Sequence, residues 1–495
     1  MVFLDNGKEK FIMNNVVPVS NDISTAIANA PIAPVISEND ILKFFNLDRE
    51  NIQNFSITHA KDGIAIHVRL NSKPHICPVC LQKSQKVKDY VPKRITHSIL
   101  NGQKCYILYD ARRYQCPHCR KIFYENNPFS IGGQRVSVTT VYNILKDLKE
   151  PTETFTSVAK RHNVSKTTAV NIFDKNIHVS RRPLPECLGI DEVYAFKSDH
   201  SQYVCVLVDC ATQQVVDILP SRKKDYLVKY FELIPEEERR NVKYCSFDMW
   251  QTYRVVSKQV FPEVTCMLDR FHVVQELNRC VNRVRIDTQN KYYSTIKKLK
   301  KKDESELTHD ERLELDNAQK HYYVLKKFNW LLTSNAGDAK IADPNIEKKY
   351  NKTLKGYYNY YDLYDYMIAD DPDLDIAYCL KYDMNEFYRK CTYKNAAQKL
   401  DELIIEFRTC QIESMSKFAN TLVRWKPEII NSFIIIKSTG KRMNTAIVEN
   451  RNKTIKLIKH SSNGYQNWER FRNRVLLCLN SDELININFT EGRRY

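Results

Sequence analysis

Three short acidic segments in the second half of the chain carry residues that could do chemistry. They are Leu188-Gly189-Ile190-Asp191-Glu192, Tyr244-Cys245-Ser246-Phe247-Asp248 and Ala446-Ile447-Val448-Glu449-Asn450. The first two place an aspartate at or near the end of an apolar, strand-like run. The third places a glutamate on the polar side of an amphipathic helix. At roughly 100° per residue from Ile447, the residues Glu449, Lys453, Lys456 and His460 share an arc of about 180–240°, and Thr454, Ile455 and Ile458 lie opposite, with Ile447. One acid among cations is either an ordinary i, i+4 ion-pair face or a metal-binding acid beside phosphates, and the residues alone leave both readings open. Two strand carboxylates and one helix carboxylate are suitable oxygen ligands for Mg²⁺ (or Mn²⁺), which keeps further positions for water and phosphate. Such a site performs phosphoryl transfer, one ion activating the attacking oxygen and a second stabilising the leaving one.

Two cysteine pairs form a second constellation. Cys77-Pro78-Val79-Cys80 and Cys116-Pro117-His118-Cys119 each bring two thiolates to one side of a tight turn, which supplies two corners of a tetrahedral Zn²⁺ site. The 35 residues between Cys80 and Cys116 leave room for a hairpin, with Cys105 to Asp110 reading as one of its strands. A site closed by Cys77, Cys80, Cys116 and Cys119 is structural, because no coordination position stays open. Two proline-containing copies in a basic setting favour zinc over a redox pair. Lys73, Lys83, Arg112, Arg113, Arg120 and Lys121 flank the knuckles and are candidates for phosphate contacts. Cys187, Cys205, Cys210, Cys245 and Cys266 lie on apolar strands and read as small buried hydrophobes.

A third pattern is FTSVAKRHNVSKTTAVNIFDK, from Phe155 to Lys175. Val158, Ala159, Val164, Ala169 and Ile172 fall where a helix-turn-helix buries its core. Asn163 sits at the turn, where a left-handed conformation is tolerable, and Ser165 can cap the second helix. Lys166, Thr167 and Asn171 then face outward, towards phosphates or base edges in a major groove. Asp269, after the last strand, reads as a helix N-cap, with His272 a candidate to support the acidic site.

These groups need elements to position them. The chain has 495 residues, with 76 Lys+Arg against 59 Asp+Glu for a formal charge of +17, an excess that favours a polyanionic partner. Only 11 glycines point to a helix-rich chain. Met1 to Lys10 lacks a secretory pattern and no run is long enough to span a membrane, so a cytoplasmic protein without membrane partners is expected. The pattern predicts a loosely ordered leader (1–40), a zinc-binding ribbon-like domain (41–130) and a helix-turn-helix DNA-binding domain (131–182). An α/β ribonuclease H-like catalytic core follows (183–290), interrupted by a helical insertion (291–435) and completed by final helices and a tail (436–495). The Tyr-rich stretch Tyr357 to Tyr366 reads as internal packing of the insertion.

Together these segments resemble the DDE transposases of the ISL-three insertion-sequence family. The resemblance runs from about Lys73 to Leu477 through CPVC and CPHC, the helix-turn-helix, LGIDEVYAF with YVCVLVD, FDMWQTYR, DRFHVVQELN and AIVENRNKTIKLIKHSSNGYQNWERFRNRVL. It implies that Asp191, Asp248 and Glu449 form the catalytic, Mg²⁺-binding triad and that Zn²⁺ is structural. It implies double-stranded DNA as partner, both element ends and target site, with Lys453 and Lys456 beside the phosphates. Metal-dependent strand cleavage at terminal inverted repeats and transfer of the freed 3′-OH would follow, in a bacterial, nucleoid-associated setting. Such cores generally act on two paired ends, which is compatible with a homodimer, and the sequence does not fix the oligomer. The competing readings are a regulatory DNA-binding protein derived from a transposase, and a nuclease of the same fold without strand transfer.

Overall fold

The computed structural model describes residues 49–485, apart from 61, 101, 131–133, 198–201, 335–340, 342, 370, 444–445, 481 and 484. The predicted leader, 1–40, lies outside the described residues. The chain forms two compact units that divide between Thr140 and Val141.

In the first unit, strands β1 (Ile52–Ala60), β2 (Gly63–Leu70), β5 (Val87–Leu100) and β6 (Gln103–Gln115) form a sheet in the order β1-β2-β6-β5, with β7 (Ile122–Tyr124) on β6. Apolar residues two apart point to one face, so Ile64, Ile66 and Val68 meet Cys105, Ile107, Tyr109 and Ala111 in one core. The long β5/β6 hairpin fills the interval between the cysteine pairs. Short strands β3 (His75–Ile76) and β4 (Lys83–Ser84) flank the first knuckle, and β6 and β7 flank the second. The two knuckles are built alike. Cys77 N donates to Gln82 O, and Cys116 N donates to Lys121 O, each at 2.9 Å. Leu81 and Arg120, the fourth residues after each first cysteine, both adopt a positive φ, 59° and 60°.

This turn geometry brings the four sulfurs within 4.8 Å of one another. Cys77 and Cys119 are 3.5 Å apart, Cys80 and Cys116 3.4 Å. Zn–S bonds of about 2.3 Å at tetrahedral angles separate sulfurs by roughly 3.8 Å, so modest adjustment encloses a zinc ion. Burial alone would raise the Cys77 thiol, but the backbone N–H groups of Cys80 and Val79 hold it down at about 6, in favour of the thiolate a metal needs. The flanking cations divide. Arg112 is fully buried, paired with Glu125 at 3.4 Å, and Arg113 pairs with Asp89. Neither is free for phosphate, because both complete the sheet's own polar network. Lys83, Arg120 and Lys121 are exposed.

The second unit centres on a sheet in the order β10-β9-β8-β11-β12: β10 (Val215–Leu219), β9 (Tyr203–Asp209), β8 (Cys187–Tyr194), β11 (Tyr244–Phe247) and β12 (Thr265–Leu268). The first three are antiparallel, and β8, β11 and β12 are parallel. Strand β9 is buried at every position from Val204 to Val208, as a strand covered on both faces must be. Helices α4 (Lys224–Glu232) and α6 (Gln251–Val260) cover one face, while α14 (Ala446–Ser461) and α15 (Trp468–Leu479) pack on the other. Between β12 and α14 runs the helical block, from α7 (Arg270–Leu299) to α13 (Glu413–Asn431), which returns to pack on β12. Asp269 caps α7, accepting from Phe271 N at 2.9 Å. Within the Tyr-rich stretch, Tyr364 and Tyr366 are half-buried against Tyr378 and His321, but Tyr357 and Tyr360 are exposed, so only part of it is internal packing.

The same unit contains α1 (Val138–Asp147) from Val141 onward, and two short helices, α2 (Phe155–Arg161) and α3 (Lys166–Asn176). A Thr154/Ser157 capping box starts α2, Asn163 turns the chain at φ 55°, and Ser165 caps α3 through Thr168 N. Helix α15 holds this pair to the sheet. Arg470 grips Asp174 at 2.8 and 2.5 Å, Asn473 donates to Ile177 O, and the wholly buried Arg474 donates to the carbonyls of Glu150 and Glu153. No helix among the described residues is long and apolar enough to cross a membrane.

The four-sulfur geometry yields a direct expectation. Purified protein carries one zinc per chain, and Cys116→Ser drops this below about half while lowering the stability of the first unit by several kcal/mol. Metal analysis with thermal melting checks it, and full zinc content in the variant would contradict the four-cysteine site.

Candidate active site

Strand β8 pairs with β11 only through Cys187, Leu188 and Gly189. Beyond Gly189 the two strands part, and the crevice that opens there contains the acidic residues. Asp191 lies within β8 rather than at its end, and Asp248 directly follows β11. Glu449 is in the first turn of α14. All three line one cavity of about 940 Å³. A second cavity of about 680 Å³ also reaches Asp191 and Glu449 and adds Asp269. Gly189 makes this possible: a Cβ there would lie 2.9 Å from Cys210 Sγ and 3.1 Å from Val448 Cγ2. Without a side chain at 189, Val448 sits directly on β8, and the next residue, Glu449, reaches the crevice.

Asp191 and Asp248 are held by hydrogen bonds but not neutralised by a cationic partner. Asp191 Oδ1 accepts from Glu192 N at 2.8 Å and its Oδ2 from Asn452 Nδ2 at 2.7 Å. Asp248 Oδ1 accepts from Trp250 N at 3.1 Å. Glu449 contacts Lys453 Nζ at 3.2 Å, so the i, i+4 pair and the acid facing the crevice coexist. Among the described residues no Lys or Arg forms an ion pair with Asp191 or Asp248. Burial, and then the charges of Glu192 and Asp269, push Asp191 up to about 6. Burial, Glu192 and Asp191 also raise Asp248 to about 6, against the opposing pull of His272. Acids raised by one another's charge are a fit setting for a hard cation, which removes the repulsion when oxygens surround it.

Residues 188–475 match the model of a transposase family of the ISL-three type, and residues 73–119 match that of the zinc-finger of transposases IS204/IS1001/IS1096/IS1165. The chain belongs to the ISL-three transposase family. It is also similar to the transposase for insertion sequence element IS1001 of Bordetella parapertussis, 22% identical over 415 residues that span 82% of this chain and 89% of that one. The zinc-finger match covers Cys77, Cys80, Cys116 and Cys119, so cysteine spacing, sulfur geometry and family agree on a structural zinc site in this transposase.

The other candidates fall in two places. Lys453 and Lys456 line the cavity of the transposase with Glu449 and are exposed. Lys166, Thr167 and Asn171 are exposed on α3 and do not line that cavity, while Ala169, Ile172 and Phe173 face inward. His272 lines the cavity and contacts Asp269 at 3.6 Å. Trp250 supports Asp248 through its N–H, but Tyr253 turns to Glu192, its hydroxyl 3.3 Å from Oε2. Sequence reasoning passed over Glu192 and Arg222, which pair with each other at the cavity wall. The only sequence signal was that Glu192 adjoins Asp191. Nothing near Arg222 marks it.

The raised carboxylates set a pH dependence. Their folded pKa values lie above the roughly 3.9 of an unfolded aspartate, so ionised Asp191 and Asp248 cost stability at pH 8. That cost fades as pH falls through about 6, when the folded state takes up protons. A divalent cation relieves the same repulsion only when the acids are ionised. If these carboxylates hold a divalent cation, about 10 mM Mg²⁺ or Mn²⁺ should raise the melting temperature by about 2–6 °C at pH 8 and by little at pH 5.5. An equal shift at both pH values would contradict this assignment.

Proposed function

We infer that this chain is a DDE-type transposase that cleaves the ends of its element and joins them to target DNA, with Asp191, Asp248 and Glu449 as its metal-binding catalytic triad. The observation that carries this reading is the convergence of those carboxylates, from β8, the end of β11 and α14, on one crevice. The strand order, with three antiparallel strands followed by two parallel ones, supports a ribonuclease H-like core. On this reading the core comprises 183–290 and 436–495, and 291–435 is a helical insertion into it. Residues 41–130 are the zinc-binding domain, and 131–182 carry a helix-turn-helix.

The α3 face with Lys166, Thr167 and Asn171 reads the terminal inverted repeat in the major groove. The exposed cations Lys453 and Lys456 meet the phosphates of the end being cut. Mg²⁺ (or Mn²⁺), when bound by the three carboxylates, activates the attacking oxygen and stabilises the leaving oxygen. Asn452 fixes the orientation of Asp191, and the Trp250 N–H that of Asp248. In the first step a water oxygen bonds to the scissile phosphorus, and the 3′ oxygen of the element end leaves as a hydroxyl. In the second, that 3′-OH attacks a target phosphodiester and displaces the target's own 3′ oxygen. Each step exchanges one P–O bond for another, so neither needs a covalent enzyme intermediate. Synapsis of two ends calls for a homodimer.

Asp248→Ala should reduce cleavage of a labelled end duplex by at least about 10³-fold, with end binding kept within about twofold. Lys166→Ala with Asn171→Ala should do the reverse, weakening end-specific binding by about 10- to 100-fold. Gel-shift and cleavage assays on the native flanking DNA measure both. Cutting by Asp248→Ala at the wild-type rate would remove the triad assignment.

A further inference from the structure

We propose that Tyr194, Tyr203, Arg222 and Trp250 form a stacking shelf that takes an unpaired nucleobase of the strand being processed. This rests on the transposase reading of the neighbouring carboxylates. All four side chains line the cavity that holds Asp191, Asp248 and Glu449. Tyr194 and Tyr203 are register partners on β8 and β9, and their rings meet edge to face at 5.5 Å. Both stay open to solvent, 49% and 37% exposed, whereas the nearby Tyr253 is fully buried. Arg222 sits 4.4 Å from the Tyr203 ring centre and 4.4 Å from that of Trp250. Its position is fixed by the ion pair with Glu192, whose second oxygen is near the Tyr253 hydroxyl. Glu192, a further acid of the same cavity, is thus paired with Arg222 rather than left facing the three carboxylates. On the other side, Lys459 lies 4.3 Å over the Tyr194 ring.

Paired DNA presents phosphates, sugars and base edges to a protein, but keeps the faces of its bases stacked out of reach. Exposed aromatic rings interleaved with a guanidinium and an ammonium suit the π-face of a base that has left its stack, with the cations taking the adjoining phosphate. Tyr194 is three residues along an extended strand from Asp191, roughly 10 Å, which puts the shelf beside the scissile position. Holding one base there would keep the strand splayed and its phosphodiester against the carboxylates.

The test is cleavage of two labelled end duplexes, one fully paired and one mismatched at the base pairs flanking the cut. The Tyr194→Leu/Tyr203→Leu variant is compared with wild type and with the corresponding Phe variant, after end binding and melting temperature confirm folding. The Leu variant should cut the paired duplex about 10- to 100-fold more slowly, the loss of a base–aromatic stack. On the mismatched duplex, where unpairing is already done, most of that deficit should vanish. The Phe variant, which keeps the rings, should recover most of the loss on paired DNA. An equal deficit on both duplexes, or normal cutting of paired ends by the Leu variant, would overturn the shelf and leave the triad standing. A wild-type protein that cut neither duplex would overturn the transposase reading and the shelf with it.

Discussion

The contact between α14 and β8 at Gly189 is the constraint on which the rest of the site depends. Carboxylates repel, and burial makes each harder to ionise. Asp191 and Asp248 show the cost, both pushed up to about 6. A fold keeps such groups together only if packing elsewhere over-determines their positions. Here Val448, Ile455 and Ile458 anchor α14 against the sheet while its opposite face carries Glu449, Lys453 and Lys456 into the crevice. The glycine removes the side chain that would otherwise hold the helix off the strand.

A second constraint ties the α2–α3 helix pair to the sheet. Helix α15 follows α14 after a short turn, and its polar face is almost entirely committed to structure. Arg470 and Asn473 hold the end of α3, Arg474 holds the segment before α2, and Arg472 ties the same helix to Asp217 of β10. The helix pair with the outward Lys166, Thr167 and Asn171 is therefore fixed to the sheet that carries Asp191. A basic residue count alone would have assigned such arginines to DNA. The same lesson holds in the first unit, where Arg112 stands beside a zinc knuckle and yet is buried against Glu125.

The sequence was most readable where a local rule sets the geometry. Cysteine spacing defines the knuckles, Asn163 and Ser165 mark the turn and cap of the helix pair, and near-continuous apolar runs mark β9 and β10. Asp191 and Asp248 stood out as acids at or near the ends of apolar runs and Glu449 by its place on the polar arc of a helix, and all three line one cavity. What stayed hidden depends on contacts between distant segments. Nothing local distinguishes Arg113, which pairs across β5 and β6 with Asp89, from Arg120, which remains exposed. Asp191 fell inside its strand because β8 continues beyond its pairing with β11, and where a partner strand ends is not written in β8 itself. Glu192 and Arg222 meet across 30 residues, through a fold that brings the end of β10 back to β8.

The most direct test of the central claim is anomalous diffraction from crystals of the end-DNA complex soaked in Mn²⁺. Mn²⁺ should lie within about 2.0–2.3 Å of carboxylate oxygens of Asp191, Asp248 and Glu449, with Glu192 still paired to Arg222. Manganese bound at other residues, or a crevice without it while DNA occupies the site, would contradict the triad.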